Sequence, residues 1–415
     1  MKAVGVVVEY NPFHHGHAYH IENARKATGA DVVIAAMSGN FLQRGEPAIV
    51  SKWTRTEMAL KGGIDLVFEL PYSYAVQKAD TFAAGAVSLL GAAGCQFICF
   101  GSESGNIEDF YHTYHFLEKH HEPYNYEIKR FINKGYSYPK ALSLAFKALE
   151  PAENVVDLSL PNNILGFQYV KAAEKSGYPV KMVTIARKSA NYHDQHFSSA
   201  SIASATSIRN ALFSNNADIT KIQSYVPVHT YEGLMQYHHN FGAFHNWNMY
   251  WPYLKLNLLQ LSPYELRVIY EVEEGIENRL LSLAIKCETF PQFMEELKTK
   301  RYTWTRLQRT LTHILTHTVK NEMSALNDKV PYLRLLGMTE TGRKYLNQLK
   351  KDCPIPLISK RSSFTHQQIV TDTRSARIYA MGLPEQYRQK AIELEFKQQP
   401  IYIEDDHNEQ KNKAI

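Results

Sequence analysis

Apolar positions in the first half of the chain fall in short unbroken runs rather than in alternation. Ala3-Val4-Gly5-Val6-Val7-Val8 is the first of them. Such a run is too short to span a membrane and predicts a strand of a parallel sheet, buried on both faces. Asp31–Met37, Asp65–Leu70, Gln96–Phe100 and Val180–Ala186 predict further strands of the same kind. Asn11-Pro12 ends the first strand, because proline cannot continue a ladder and restricts the residue before it. From His17 to Ala27 the period becomes helical, and Gly29 supplies the stop. In the second half, Ser262-Pro263-Tyr264-Glu265 spells a capping box with proline at its first helical position. A single stripe of Val268, Val272, Ile276 and Leu280 follows it, and Leu307, Leu311, Ile314, Leu315 and Val319 make another. The pattern predicts an α/β fold with a doubly wound parallel sheet, followed by a mostly α-helical C-terminal domain. The expected divisions are 1–225, 226–403 and a polar flexible tail over 404–415, with no internal repeat.

Two segments carry candidate chemistry. His14-His15-Gly16-His17 lies where the first strand hands over to its helix. A helix N-terminus presents unpaired N–H groups and a partial positive charge to an anion. Gly16 lets a nucleotide approach that backbone, while His14 and His17 flank it and can each donate a hydrogen bond to phosphate. His15 and His20 read as supporting or incidental neighbours. The second segment is Ser204-Ala205-Thr206-Ser207-Ile208-Arg209. Its hydroxyls can cap a helix, and Arg209, one turn on, can fork onto phosphate oxygens. Alone it could be an ordinary capped surface helix. Paired with the first segment, it describes a site for attack at the α-phosphate of a nucleoside triphosphate, where positioning and charge stabilisation do most of the work.

Arg187-Lys188 ends the strand at 180–186 and should face the same crevice. The turns Ser38-Gly39-Asn40, Pro71-Tyr72 and Gly101-Ser102-Glu103 open onto that edge as well. Gly101 would let backbone approach a base or ribose. Asn162 and Asn163 open a helix and could read a ribose or merely cap it. Arg44, Lys52 and Arg55 could be a solvated cluster or substrate contacts.

Composition narrows the setting. The four cysteines form no CxxC pair; Cys95 and Cys99 should share one buried strand face. This fits a reducing cytoplasm rather than a disulfide framework. No basic-then-apolar leader precedes the first strand, and no apolar run reaches membrane length, so no membrane is expected. The formal charge is only +5, but it is unevenly distributed. Lys298, Lys300, Arg301, Arg306, Arg309 and Lys320 lie in a stretch without an acid. Arg306, Arg309, His313, His317 and Lys320 should form a face opposite the apolar stripe, with Tyr302 and Trp304 beside it. Such a strip suits RNA phosphate.

The H-x-G-H with a late S-x-T-x-I-R resembles the nucleotidylyltransferase branch of the HIGH superfamily, whose fold is a Rossmann-like sheet. The lysine-rich loop of the related aminoacyl-tRNA synthetases is absent. More closely, Gly5–His17, Asn40–Pro47 with Lys52, Asp65–Pro71, Pro161–Gly166, Arg187-Lys188 and Ser204–Arg209 resemble the tRNA(Met) cytidine acetate ligases. The likeness extends to Lys300-Arg301-Tyr302-Thr303, Arg306-Leu307-Gln308-Arg309 and Leu335-Leu336-Gly337. It implies that acetate and ATP give acetyl-adenylate, which acetylates the N4 amine of the wobble cytidine of elongator tRNA(Met). It implies His14, His17, Lys188 and Arg209 as catalytic residues. ATP would be held by Val7, Val8, Glu9, Tyr10, Asn11, Pro12, His14, Gly16, His17, His20, Gly101, Asn162, Arg187, Lys188, Ser204, Thr206 and Arg209. Mg²⁺ would accompany ATP without a dedicated protein site. The rival enzyme is an adenylyltransferase for a small phosphorylated metabolite, which would leave the basic helical half unexplained. A nucleotide-dependent RNA-binding protein without chemistry would not need His14, His17 and Arg209 together.

Overall fold

The computed structural model describes residues 1–151, 154–187, 204–214, 218–324 and 329–404. The predicted runs become β1 (Ala3–Val8), β2 (Val32–Ser38), β3 (Leu66–Leu70), β4 (Phe97–Ser102) and β5 (Lys181–Ala186). They are parallel in the order β5-β4-β1-β2-β3. Alternate residues feed two cores, which is why the runs show no polar alternation. Val32, Ile34, Ala36, Leu66 and Phe68 pack with the helices Ala79–Ala92 and Pro161–Ser176. Val4, Val6, Val33, Ala35 and Val67 face the opposite layer, with the helices His15–Thr28, Lys52–Lys61 and Val228–Phe241. Cys95 and Cys99 fall into different layers, contrary to expectation, because Cys95 precedes β4 and does not follow its alternation.

The late part of the chain is not purely helical. β6 (Leu333–Thr339) joins the sheet antiparallel to β3, and β7 (Leu357–Ile358) and β8 (Ile401–Ile403) pair in parallel with β6. The expected division at 225/226 therefore does not coincide with a break in the sheet. Arg334 sits inside β6 and disguises it as a polar segment, but it is 3 % exposed. It belongs to a closed ring of alternating buried charges. Lys52 Nζ lies 2.8 Å from Glu69 and 3.0 Å from Glu395, and Arg334 Nη1 lies 3.0 and 2.6 Å from the same two carboxylates. This ring joins β3, β6, the helix Lys52–Lys61 and the helix Glu385–Lys397. Lys52 and Arg55 are thus structural, not a solvated cluster. Arg55 donates to the carbonyls of Glu9 and Ser38 at 2.7 and 3.0 Å, and also to that of Gly39.

A third core is built from helices between Trp247 and Leu315. The capping box at Ser262 forms as expected, yet its helix stops at Val268 and a new one starts at Ile276. Glu271, Glu274 and Gly275, all at positive φ, make the break. The helix Trp304–Leu315 is then gripped from two sides. Its apolar stripe enters the third core, and its other face meets the 40–47 loop. Thr312 donates to the Gly45 carbonyl at 2.8 Å, and a Cβ on Gly45 would lie 2.4 Å from Arg309 N. His313, expected on an open face, is fully buried and hydrogen-bonds the Tyr72 hydroxyl at 3.0 Å.

Candidate active site

β1 ends at Val8, and the chain turns at Tyr10, whose φ is +50°, and at the cis Asn11–Pro12 bond. Tyr10 is buried and meets the edges of Phe13 and His17 at centroid distances of 4.8 Å. The turn is pinned from both sides. Asn11 Oδ1 accepts from Ile49 N at 2.8 Å, and the Asn11 carbonyl accepts from Arg209 Nη1 at 2.9 Å. The second predicted segment is therefore anchored on the turn that leads from β1 into the first. The same arginine reaches Glu46 at 3.2 Å and Thr206 Oγ1 at 3.4 Å. Ser204 Oγ accepts from Ser207 N at 3.1 Å and so caps the helix Ala205–Ser214 as predicted.

His14 is the N-cap of the helix His15–Thr28, and with His17 it makes a reciprocal capping box. His14 Nδ1 accepts from Gly16 N at 3.0 Å, and His17 Nδ1 accepts from His14 N at 3.2 Å. The Gly16 N–H is thus turned onto His14 rather than left for an anion. Burial lowers both imidazole pKa values, that of His14 to about 3, and the Arg187 charge adds to the effect. A neutral imidazole that accepts at Nδ1 must carry its proton on Nε2. Neither Nε2 finds a hydrogen-bond partner among the described residues. The capping box thereby fixes two stacked rings, 3.7 Å apart, as Nε2–H donors. A Cβ on Gly16 would approach His14 Cε1 to 2.9 Å and displace that ring.

The positive field comes from Arg187 and Arg209. Arg187 lowers the pKa of His14, His17 and His20 in addition to burial, and His20 falls to about 4. The positive field that adds to burial in keeping these imidazoles neutral also attracts a polyanion. His20 is turned toward Cys99 Sγ, 3.8 Å away. Arg187 Nη1 donates to Asn162 Oδ1 at 3.4 Å, and its stem lies 3.3 Å from where a Gly101 Cβ would be. Gly101, Asn162 and Arg187 therefore form one corner beside the histidines. Asn163, by contrast, is buried and spends its amide on Glu103 N, Ser104 N and the Asp157 carbonyl. Lys188 lies outside the described residues.

Glu103 and Glu46, named in the sequence only as parts of the 101–103 turn and the 40–47 block, are brought beside these residues. Glu103 accepts from Asn162 N, Asn162 Nδ2 and Asn163 N, so it caps a helix whose own N-cap, Leu160, cannot. Burial raises the pKa of Glu9, which accepts from Gln43 N at 2.7 Å. Val7 and Val8 hold the end of β1 against β2. Among the described residues, no three His, Cys, Asp or Glu cluster as a metal site.

The expected RNA strip is largely committed within the protein. The helix break at 271–274 brings acids that are distant in sequence onto it. Arg309 Nε pairs with Glu271 at 3.0 Å, Arg306 reaches Glu273 and Glu274 at 3.6 and 3.8 Å, and Lys320 donates to the Val272 carbonyl at 2.9 Å. Lys298, Lys300 and Arg301 remain exposed, although Arg301 Nε also reaches Glu274 at 3.9 Å.

A family model described as HIGH Nucleotidyl Transferase matches residues 1–394. The tRNA(Met) cytidine acetate ligase of Bacillus subtilis (strain 168) is 48 % identical, over 98 % of this chain and 98 % of its own. That of Halalkalibacterium halodurans is 47 % identical over the whole of both. The crystal structure of apo Thermotoga maritima TmcAL superposes with a TM-score of 0.90 at 32 % identity, over 98 % of this chain and 100 % of that one. A second Thermotoga structure, bound with alpha-thio ATP, gives 0.88 over the same shares of the two chains, again at 32 % identity. No described helix is long and apolar enough to cross a membrane. By its matched length and its identity to these relatives, the chain belongs to the tRNA(Met) cytidine acetate ligase family of HIGH nucleotidyltransferases.

Proposed function

We propose that this enzyme joins acetate to the N4 amine of the wobble cytidine in elongator tRNA(Met), at the cost of ATP. In the first step an acetate oxygen attacks the α-phosphorus, and the bond to pyrophosphate breaks. In the second the cytidine amine attacks the acetyl carbon, the carbonyl–AMP bond breaks, and the amine loses a proton. The observation that carries the proposal is the anchoring of Arg209 on Asn11, in the turn just before the His14/His17 pair, with that pair fixed as Nε2–H donors. His14 and His17 donate to oxygens at the α-phosphate and the leaving pyrophosphate. Arg209, Thr206 and Ser204, with Lys188, hold the outer phosphates, while Val7–Pro12, Gly101, Asn162, Arg187 and His20 surround the nucleoside end. Mg²⁺ comes with ATP as part of the substrate. Lys298, Lys300 and Arg301 contact RNA phosphate, and the reaction takes place in the cytoplasm with its RNA.

Acetate-dependent exchange of labelled pyrophosphate into ATP tests the first step without RNA. Exchange that requires acetate is the expected result, and exchange that requires a phosphorylated metabolite instead contradicts it. The same assay has a predictable pH dependence. Because folding lowers the pKa of His14 and His17, the imidazolium forms are populated only well below pH 6.5. Donation from neutral rings therefore gives a kcat/KM for ATP that is flat from about pH 7 to 8.5. A requirement for imidazolium would instead cost about tenfold per pH unit across that range.

A further inference from the structure

The helices His121–Asn133 and Tyr138–Ala148 form a hairpin that the chemistry above does not use. Its turn is tight: Gly135, at φ +85°, donates to the Ile132 carbonyl at 2.8 Å, and nothing would meet a Cβ there within 4 Å. From Ile128 to Leu149 the sequence holds Lys129, Arg130, Lys134, Lys140 and Lys147 and no acid. The 298–320 stretch is also acid-free in sequence, but this one keeps most of its cations out of salt bridges in space. Arg130 pairs with Glu127 at 2.6 Å, while Lys129, Lys134 and Lys140 meet no carboxylate in a salt bridge among the described residues. Large apolar and aromatic side chains stand among these cations. Tyr126, Ile132, Tyr136 and Tyr138 are 68, 37, 44 and 53 % exposed. Phe131 and Tyr136 meet edge-on at 5.9 Å, with Arg130 and Lys134 over the Phe131 ring at 5.0 and 5.6 Å. The tip is thus a preformed platform of rings and cations.

The start of its second helix also lies near the 77–80 segment, which borders the site. The Tyr138 hydroxyl is within electrostatic reach of Lys78 and Asp80. The neighbouring Gln77 carbonyl accepts from Gln43 Nε2 at 2.7 Å, and Gln43 N donates to Glu9 at the end of β1. Cations that track a backbone, with exposed rings on which bases stack, suit unpaired RNA. We propose that the 121–148 hairpin is an RNA-gripping arm, in which Lys129, Lys134 and Lys140 hold phosphates of the anticodon loop and Tyr136 stacks on an unpaired base. The assignment rests on the reading of the chain as a tRNA-acetylating ligase.

The test uses the full-length enzyme and an anticodon stem-loop of elongator tRNA(Met), with affinity followed across a salt series. Replacing Lys129, Lys134 and Lys140 together by alanine is expected to weaken binding about tenfold or more and to flatten the log–log salt slope by about two. The triple replacement by arginine retains both. Tyr136→Ala is expected to weaken binding without changing the slope. Acetate-dependent pyrophosphate exchange, which needs no RNA, stays at the parent rate in every variant. Parental affinity and slope in the alanine triple would overturn the arm, and are what a hairpin serving a protein partner would show. If the unmodified enzyme does not bind the RNA at all, the ligase reading falls first and takes the arm with it.

Discussion

Replacing His17 by alanine is expected to lower acetate-dependent pyrophosphate exchange by about 10²–10³-fold, the usual cost of losing one preorganised donor at a developing charge. Two losses coincide at this residue. The Nε2–H donor disappears, and so does the Nδ1 acceptor that satisfies His14 N at 3.2 Å and keeps the two rings stacked. His14 then loses its fixed position, so its own donor is also misplaced. The stability cost should be small by comparison, about 1 kcal/mol for a lost cap. A thermal melt close to the parent's, alongside a collapsed exchange rate, is therefore the expected pair of observations. An unchanged exchange rate would remove the histidine pair from the chemistry.

Lys52→Met is expected to have the opposite profile. Its ammonium, 1 % exposed, separates the carboxylates of Glu69 and Glu395, and Arg334 alone cannot compensate both. Removing one member of a buried ionic cluster leaves uncompensated charge and typically costs about 3–5 kcal/mol. The denaturant midpoint should fall accordingly. The double replacement Lys52→Met with Glu395→Leu should recover part of the loss, because the removed charges cancel. A Lys52 variant with a parental midpoint but impaired use of ATP would mean that this lysine touches substrate.

The contrast between these residues shows how far the sequence could be read. β1 to β5 were legible because strands covered on both faces are continuously apolar, a local property. The cap at Ser204 was legible because a hydroxyl at a helix start is also a local signal, whereas the reciprocal box of His14 and His17, which turns the Gly16 N–H inward, was not foreseen. β6 was hidden because Arg334 is neutralised by Glu69 and Glu395, and neither is near it in sequence. Lys52 and Arg55 looked like surface charge because their partners are likewise remote. The basic strip failed at Arg309 and Lys320 for a different reason. A helix that was expected to run through 280 breaks at 269–275, and the break delivers Glu271 to the strip. The neutral state of His14 and His17 was also out of reach, since it depends on burial and on Arg187.

The most direct measurement combines the purified enzyme, ATP, Mg²⁺, isotopically labelled acetate and total tRNA, with the RNA then digested to nucleosides for mass spectrometry. Label in N4-acetylcytidine from elongator tRNA(Met), absent with His17→Ala, is the predicted result. Unlabelled RNA, with pyrophosphate released only when a phosphorylated metabolite is supplied, would contradict it and identify a small-molecule adenylyltransferase instead.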